Sequence, residues 1–166
     1  LVSILPKHIE LNHIPLIDNE LYLVGRSNPF KKLKKNPSSV LLDLPLIYRE
    51  EGSGTRFMME VFVKSKGFFS EKKVVLTSNE AVKQALMAGL GYSIMPLIGI
   101  RHELARKALE IIPIKGLPIK TKWYLVWLKN KNFSPSAEAY LSYIKANSDA
   151  LIEKNFQTEI NKDPLA

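Results

Sequence analysis

Arg49-Glu50-Glu51-Gly52-Ser53-Gly54-Thr55-Arg56 lies between the apolar run Leu44-Pro45-Leu46-Ile47-Tyr48 and the helix-patterned stretch Phe57-Met58-Met59-Glu60-Val61-Phe62-Val63-Lys64. Leu46 to Tyr48 is short and apolar enough for a parallel core strand. It delivers the chain to a Gly-Ser-Gly turn, where a helix starts with unpaired N–H groups and the positive end of its dipole. A carboxylate, sulfate or phosphate would suit that corner. The i,i+4 pairs Phe57/Val61 and Met58/Phe62 give the helix an apolar face, and its end is expected near Gly67.

Downstream the pattern repeats in kind. Val74-Val75-Leu76 reads as a strand that hands over to Thr77-Ser78-Asn79-Glu80, and the capping-box spacing of Thr77 and Glu80 predicts a helix start. Val82, Ala85 and Leu86 form the apolar face of this helix; Gly89-Leu90-Gly91 ends it, and Tyr92-Ser93-Ile94-Met95 returns as a strand stopped by Pro96. Strand, helix and strand in this order make a βαβ unit with a right-handed crossover. In an open α/β sheet the carboxyl ends of the strands gather helix starts into one crevice, where ligands bind. Taken singly, Ser53, Thr55 and Thr77 need be no more than helix caps. Co-location of the two corners would turn them into a site.

The flanks are plainer. Leu21-Tyr22-Leu23-Val24-Gly25 reads as a buried strand entered after Ile17-Asp18-Asn19-Glu20 and left at Arg26-Ser27-Asn28-Pro29, and Val40-Leu41-Leu42 as a helical turn. A short helix over Ile98 to Ala105 and a strand over Leu109 to Ile112 precede Lys122 to Leu128, the strongest strand pattern in the chain. Trp123 and Trp127 share one side of it and are read as core. Ser134 and Pro135 open a last helix carrying Tyr140, Leu141 and Ile144, and from about Phe156 the tail is polar.

With 166 residues and ordinary apolar content, the chain is one domain or two small lobes. It has no cysteine, which excludes disulfide and thiol chemistry. A net charge of +8 invites a nucleic-acid reading. However, the dense run Lys31-Lys32-Leu33-Lys34-Lys35 has no interleaved aromatics for base stacking and is read as a solvated loop. No stretch approaches the roughly 20 apolar residues of a membrane span, and no signal-peptide pattern opens the chain. The opening Leu1-Val2-Ser3-Ile4-Leu5 reads as mid-domain strand, so the chain is expected to begin inside a domain.

Catalytic and metal readings fail on spacing. Gly52-Ser53-Gly54 is not a nucleophile elbow, a third dinucleotide-binding glycine would fall at Phe57, and no P-loop lysine follows. Glu50 and Glu51 are adjacent, and since adjacent side chains usually point apart and loop carboxylates are usually solvated, they make a poor acid/base pair. His8, His13 and His102 lack ligand spacing. No catalytic residue, metal or cofactor is expected. Met58, Met59, Met87 and Met95 are read as core filling.

Three blocks carry a family resemblance: Pro45 to Arg56, Ser78-Asn79-Glu80-Ala81-Val82-Lys83-Gln84-Ala85, and Ala88-Gly89-Leu90-Gly91-Tyr92-Ser93-Ile94-Met95-Pro96. In kind and order they resemble the effector-binding domain of LysR-type transcriptional regulators, over roughly residues 1 to 150. The resemblance implies an α/β fold of the type 2 periplasmic-binding-protein-like kind. Two α/β lobes are joined by two crossing strands, here Leu21 to Arg26 and Lys122 to Leu128, with a small effector in the cleft. Residues 1–24 and 121–155 would form a first, incomplete lobe, residues 25–120 the second, and residues 156–166 a polar tail.

The family's effector contacts carry over to Ser53, Gly54, Thr55, Ser78 and Asn79. The glycine-turn block is most similar to regulators of carbon dioxide fixation and sulfur-oxyanion metabolism, which implies an anionic metabolite as effector. Glu51 stands where close relatives often have proline, making the loop more acidic and less rigid. The resemblance further implies no enzymatic activity, a cytoplasmic location and a homodimer or tetramer at full length. DNA would be reached only through a helix-turn-helix domain absent from this chain. A solute-binding protein of a transport system, with the same lobed fold, is the alternative.

Overall fold

The computed structural model describes residues 1–6, 8–28, 44–67 and 73–154; the lysine run, the expected turn at Val40 to Leu42 and the tail from Phe156 lie outside them. The chain divides into two compact units, Leu1–Asp18 with Thr121–Ala166, and Asn19–Lys120. Six strands are described: β1 (Leu11–Gly25), β2 (Leu46–Arg49), β3 (Lys73–Leu76), β4 (Tyr92–Pro96), β5 (Glu110–Ile111) and β6 (Ile119–Leu128). Four α-helices are described with them: α1 (Gly54–Ser65), α2 (Asn79–Met87), α3 (Arg101–Ala105) and α4 (Pro135–Ile152).

In the unit Asn19–Lys120 the strand order is β3-β2-β4-β1-β5. β2 runs parallel to β3 and to β4, whereas β1 runs antiparallel to β4 and β5. The chain leaves β2 for β3 on one side, then crosses back to β4 on the other. Right-handed crossovers in opposite directions put their helices on opposite faces of the sheet.

The core shows this directly. Leu46 and Tyr48 of β2 pack with Met59, Phe62 and Val63 of α1, while Ile47 packs with Val82, Ala85 and Leu86 of α2. β1 alternates in the same way, Leu21 and Leu23 to one cluster and Tyr22 and Val24 to the other. A strand covered on both faces must be apolar throughout, which is why Leu46, Ile47 and Tyr48 read as one continuous run.

Gly91 fixes how β4 meets β2. Tyr92 N donates to Pro45 O at 2.9 Å, and a Cβ on Gly91 would come within 2.4 Å of that same carbonyl oxygen. Ser93, buried in β4, donates its hydroxyl to Ile47 O at 2.6 Å. The requirement here is close backbone approach, which only a residue without Cβ permits.

The expected helix face of α1 is shifted. Met58 and Phe62 are on or beside the core, but Phe57 is 54 % and Val61 51 % exposed, and the buried stripe is instead Met59, Phe62 and Val63. The start of α2 also moves by one residue: Ser78 is the N-cap, its Oγ accepting from Ala81 N at 3.0 Å, rather than Thr77. Glu80 therefore bonds Gln84 and Lys83 instead of closing a capping box. β1 begins ten residues before the expected strand, and the expected helix over Ile98 to Ala105 is a 3-10 turn at Leu97–Gly99 followed by the short α3.

In the unit Leu1–Asp18 with Thr121–Ala166, Val2 exchanges backbone hydrogen bonds with Tyr124, and the His13 and Tyr124 rings meet edge to face at 5.5 Å. Ser134 caps α4 with Pro135 in its first turn, as expected. Trp123 and Trp127 are half-buried rather than core. Trp127 lies against Phe133 with Lys145 Nζ above its ring, so it has an amphipathic setting that an even spacing on a strand cannot reveal.

Candidate functional site

β2 ends at Arg49, and the next four residues turn the chain sharply. Ser53 N donates to Glu50 O at 3.2 Å, with Gly52 at φ +85°, the positive φ that the third position of a type II turn demands. Ser53 then caps α1: its Oγ accepts from Arg56 N at 3.4 Å, and Phe57 N returns to Ser53 O at 3.0 Å. The amides of Gly54 and Thr55, first in the helix, precede any i−4 carbonyl that could accept from them. A hydroxyl that accepts from a cap amide still has its own proton to donate.

The second corner repeats this one strand away. β3 ends at Leu76, which is in register with Arg49 of β2, and Ser78 and Asn79 open α2. Neighbouring strands are about 4.8 Å apart, so the two helix starts leave the same edge of the sheet side by side. A direct bond joins the corners: Arg49 Nη1 donates to Asn79 Oδ1. With Oδ1 turned to Arg49, Asn79 presents its Nδ2 group as a donor. Ser53, Gly54 and Thr55 are half-buried at α1, while Ser78 and Asn79 are exposed at α2.

The positive groups here are the two helix starts and two guanidiniums, set against the carboxylates of Glu50, Glu60 and, in the first turn of α2, Glu80. α1 has no acidic residue in its first turn and instead carries Arg56 there, against the preference of the helix dipole. Arg56 is held by Glu60 at 2.8 Å and donates to Arg49 O at 3.3 Å. Arg49 is itself only 18 % exposed and makes a two-pronged pair with Glu50, Nε to Oε2 at 2.6 Å and Nη2 to Oε1 at 2.7 Å. That hydrogen bonding holds the Glu50 carboxyl below the usual carboxylate range. A general acid would need the opposite shift.

Arg49 is the residue that sequence reasoning quoted but did not assign. Its signal was its place as the last residue of a core strand ahead of a glycine turn; its partner, Asn79, is 30 residues on and visible only through the β2 and β3 register. Among the described residues no three His, Asp or Glu side chains gather as a metal would require. Also among them, no helix is long and apolar enough to cross a membrane.

Comparison with known proteins sets the chain and its fold in a wider group. The LysR substrate binding domain profile matches residues 1–149. The RuBisCO operon transcriptional regulator of Acidithiobacillus ferrooxidans is 38 % identical over 144 residues, covering 86 % of this chain and 47 % of that protein. The HTH-type transcriptional activator CmpR of Synechocystis is 33 % identical over 147 residues, covering 88 % of this chain and 48 % of that protein. The chain thus spans about half the length of these curated relatives. Among solved structures, the Synechocystis CcmR regulatory domain in complex with 2-PG superposes with a TM-score of 0.73 at 34 % identity, covering 89 % of this chain and 71 % of that one. The mixed sheet with helices on both faces is that of such regulatory domains, in keeping with the type 2 periplasmic-binding-protein-like fold.

Proposed function

We propose that this chain senses a small anionic metabolite for a transcriptional regulator, and the premise is its family: the chain belongs to the LysR substrate-binding domains. The effector is held by Ser53, Gly54, Thr55, Ser78 and Asn79. Hydroxyl donors come from Ser53, Thr55 and Ser78, and amide donors from Gly54 and Asn79. The observation that carries this reading is the pairing of two helix starts at the ends of adjacent parallel strands, bridged by Arg49 and Asn79. Two positive dipole ends beside a guanidinium favour an anion over a neutral ligand.

The relatives reported above are regulators, which favours regulation over solute transport. DNA binding belongs to a helix-turn-helix domain outside this chain, and the full-length protein works in the cytoplasm as a homodimer or tetramer. The role is sensing rather than catalysis. An effector alters transcription only if it binds two states of the DNA-bound oligomer with different affinity.

The 2-PG bound by the Synechocystis domain makes 2-PG the first candidate to try, with inorganic phosphate and sulfate beside it. Calorimetric titration of the full-length regulator should give saturable binding that Thr55→Ala and Ser78→Ala each weaken about tenfold, the loss of one hydrogen bond to a charged group. Unchanged affinity in both variants removes these residues from the site.

A further inference from the structure

Arg49 is a charged side chain four-fifths shielded from solvent, at the meeting point of two positive helix ends, with Arg56 a hydrogen bond away. Its guanidinium has a ligand of its own already. The two oxygens of Glu50 take Nε and Nη2 in parallel, which is the fork geometry by which an arginine grips a carboxylate or a phosphate edge. Glu50 belongs to the turn rather than to the strand, and its side chain is twice as exposed as that of Arg49, 36 % against 18 %. The arginine is fixed at its far end by Asn79 Oδ1, while the carboxylate is the exchangeable member of the pair.

We infer that Glu50 is a built-in competitor at the effector site: its carboxylate occupies the Arg49 fork in the unliganded domain, and a small oxyanion must displace it to bind. This rests on the anion-sensing reading above and adds to it the cation that reads the ligand and the internal group that sets its threshold. Without Glu50, two helix starts and Arg49 would bind any oxyanion in the cell with little selection. With it, only a ligand that fills the fork and also reaches Ser53, Thr55 or Ser78 gains enough contacts to replace the carboxylate. Arg49 is thereby a specificity residue and Glu50 a positioning residue that acts through it.

The neutral isostere Glu50→Gln separates this role from simple support of the fold. It keeps the size of the side chain while removing the charge that competes. Titrating wild type, Glu50→Gln and the double variant Arg49→Gln/Glu50→Gln with 2-PG, inorganic phosphate and sulfate, with thermal melting as the check on folding, gives a sign as well as a size. Glu50→Gln should tighten oxyanion binding by about three- to tenfold, the effect of one partly exposed ion pair, and the double variant should lose that gain. Should wild type bind none of the three while Glu50→Gln binds one, the competitor is supported and the effector is a larger anion than those tried. Should wild type bind and folded Glu50→Gln bind no tighter, the competitor is overturned and the sensing site stands. Should neither bind, both readings fall.

Discussion

Gly91 and Arg49 show how single residues set this sheet and its edge. Gly91 has no room for a methyl group, because the nearest atom is a backbone carbonyl that is itself engaged by Tyr92 N, and Ile47 Cγ1 lies 3.1 Å from the same point. Relief would require β4 to separate from the start of β2. Gly91→Ala should therefore lower stability by about 2–3 kcal/mol, in the range for overpacked core positions, read as a shift in the urea midpoint. A loss under about 0.5 kcal/mol would mean that the two strands can part freely. Both residues stand inside motifs quoted from the sequence, yet the reason for each is a partner from another strand or helix, which no local pattern discloses.

Among the elements, α1 and α2 carry both the core and the proposed site, and the two duties can be separated. Ser78 caps α2 and is also proposed to donate to the effector. Aspartate caps a helix as well as serine does but adds a negative charge where an anion would bind. Ser78→Asp should leave the melting temperature within about 2 °C while weakening oxyanion binding at least tenfold. If binding persists, Ser78 is a cap alone.

α2 is also pinned by Lys83, which reaches Glu80 at 2.8 Å and Glu103 of α3 at 3.0 Å. Donating hydrogen bonds to Glu80 and then to Glu103 raises the Lys83 pKa above the ordinary lysine value. The sign follows: stability from this pair is fully present below the ordinary value and is lost as pH rises through the raised one. Lys83→Met should thus be less stable than wild type near neutrality by about 1 kcal/mol, and the two melting curves should converge at strongly alkaline pH. A gap that does not change with pH would assign the loss to packing.

The elements were legible to different degrees. β2, α1, β3, α2 and β4 were readable because glycine turns and cap residues punctuate short apolar runs. The face of α1 was misread at Phe57 and Val61, since every turn of that helix offers apolar residues and only its seat on β2 decides which ones are buried. The first half of β1 escaped because Asn12, His13, Pro15 and Asp18 break its alternation, and its strand character comes from pairing with β6, far along the chain.

For the whole molecule, the family and the mixed α/β fold followed from three motif blocks, while the bridge between the two helix starts followed only from three-dimensional register. Its proposed consequence lies in control rather than chemistry. In the full-length regulator, the Ser78→Asp variant should bind operator DNA like wild type without effector, yet lose the effector-dependent change in gel mobility or footprint. A variant that loses DNA binding itself would place Ser78 in the assembly instead of the sensor.

The most direct test of an oxyanion held between the two helix starts is an amide NMR titration of this domain with 2-PG, inorganic phosphate and sulfate. Expected are saturable shifts of the Gly54, Thr55, Asn79 and Glu80 amides with one common dissociation constant, as a single anion seated at both helix ends would produce. Saturable binding that leaves these four amides unmoved, or moves one helix start without the other, would contradict it.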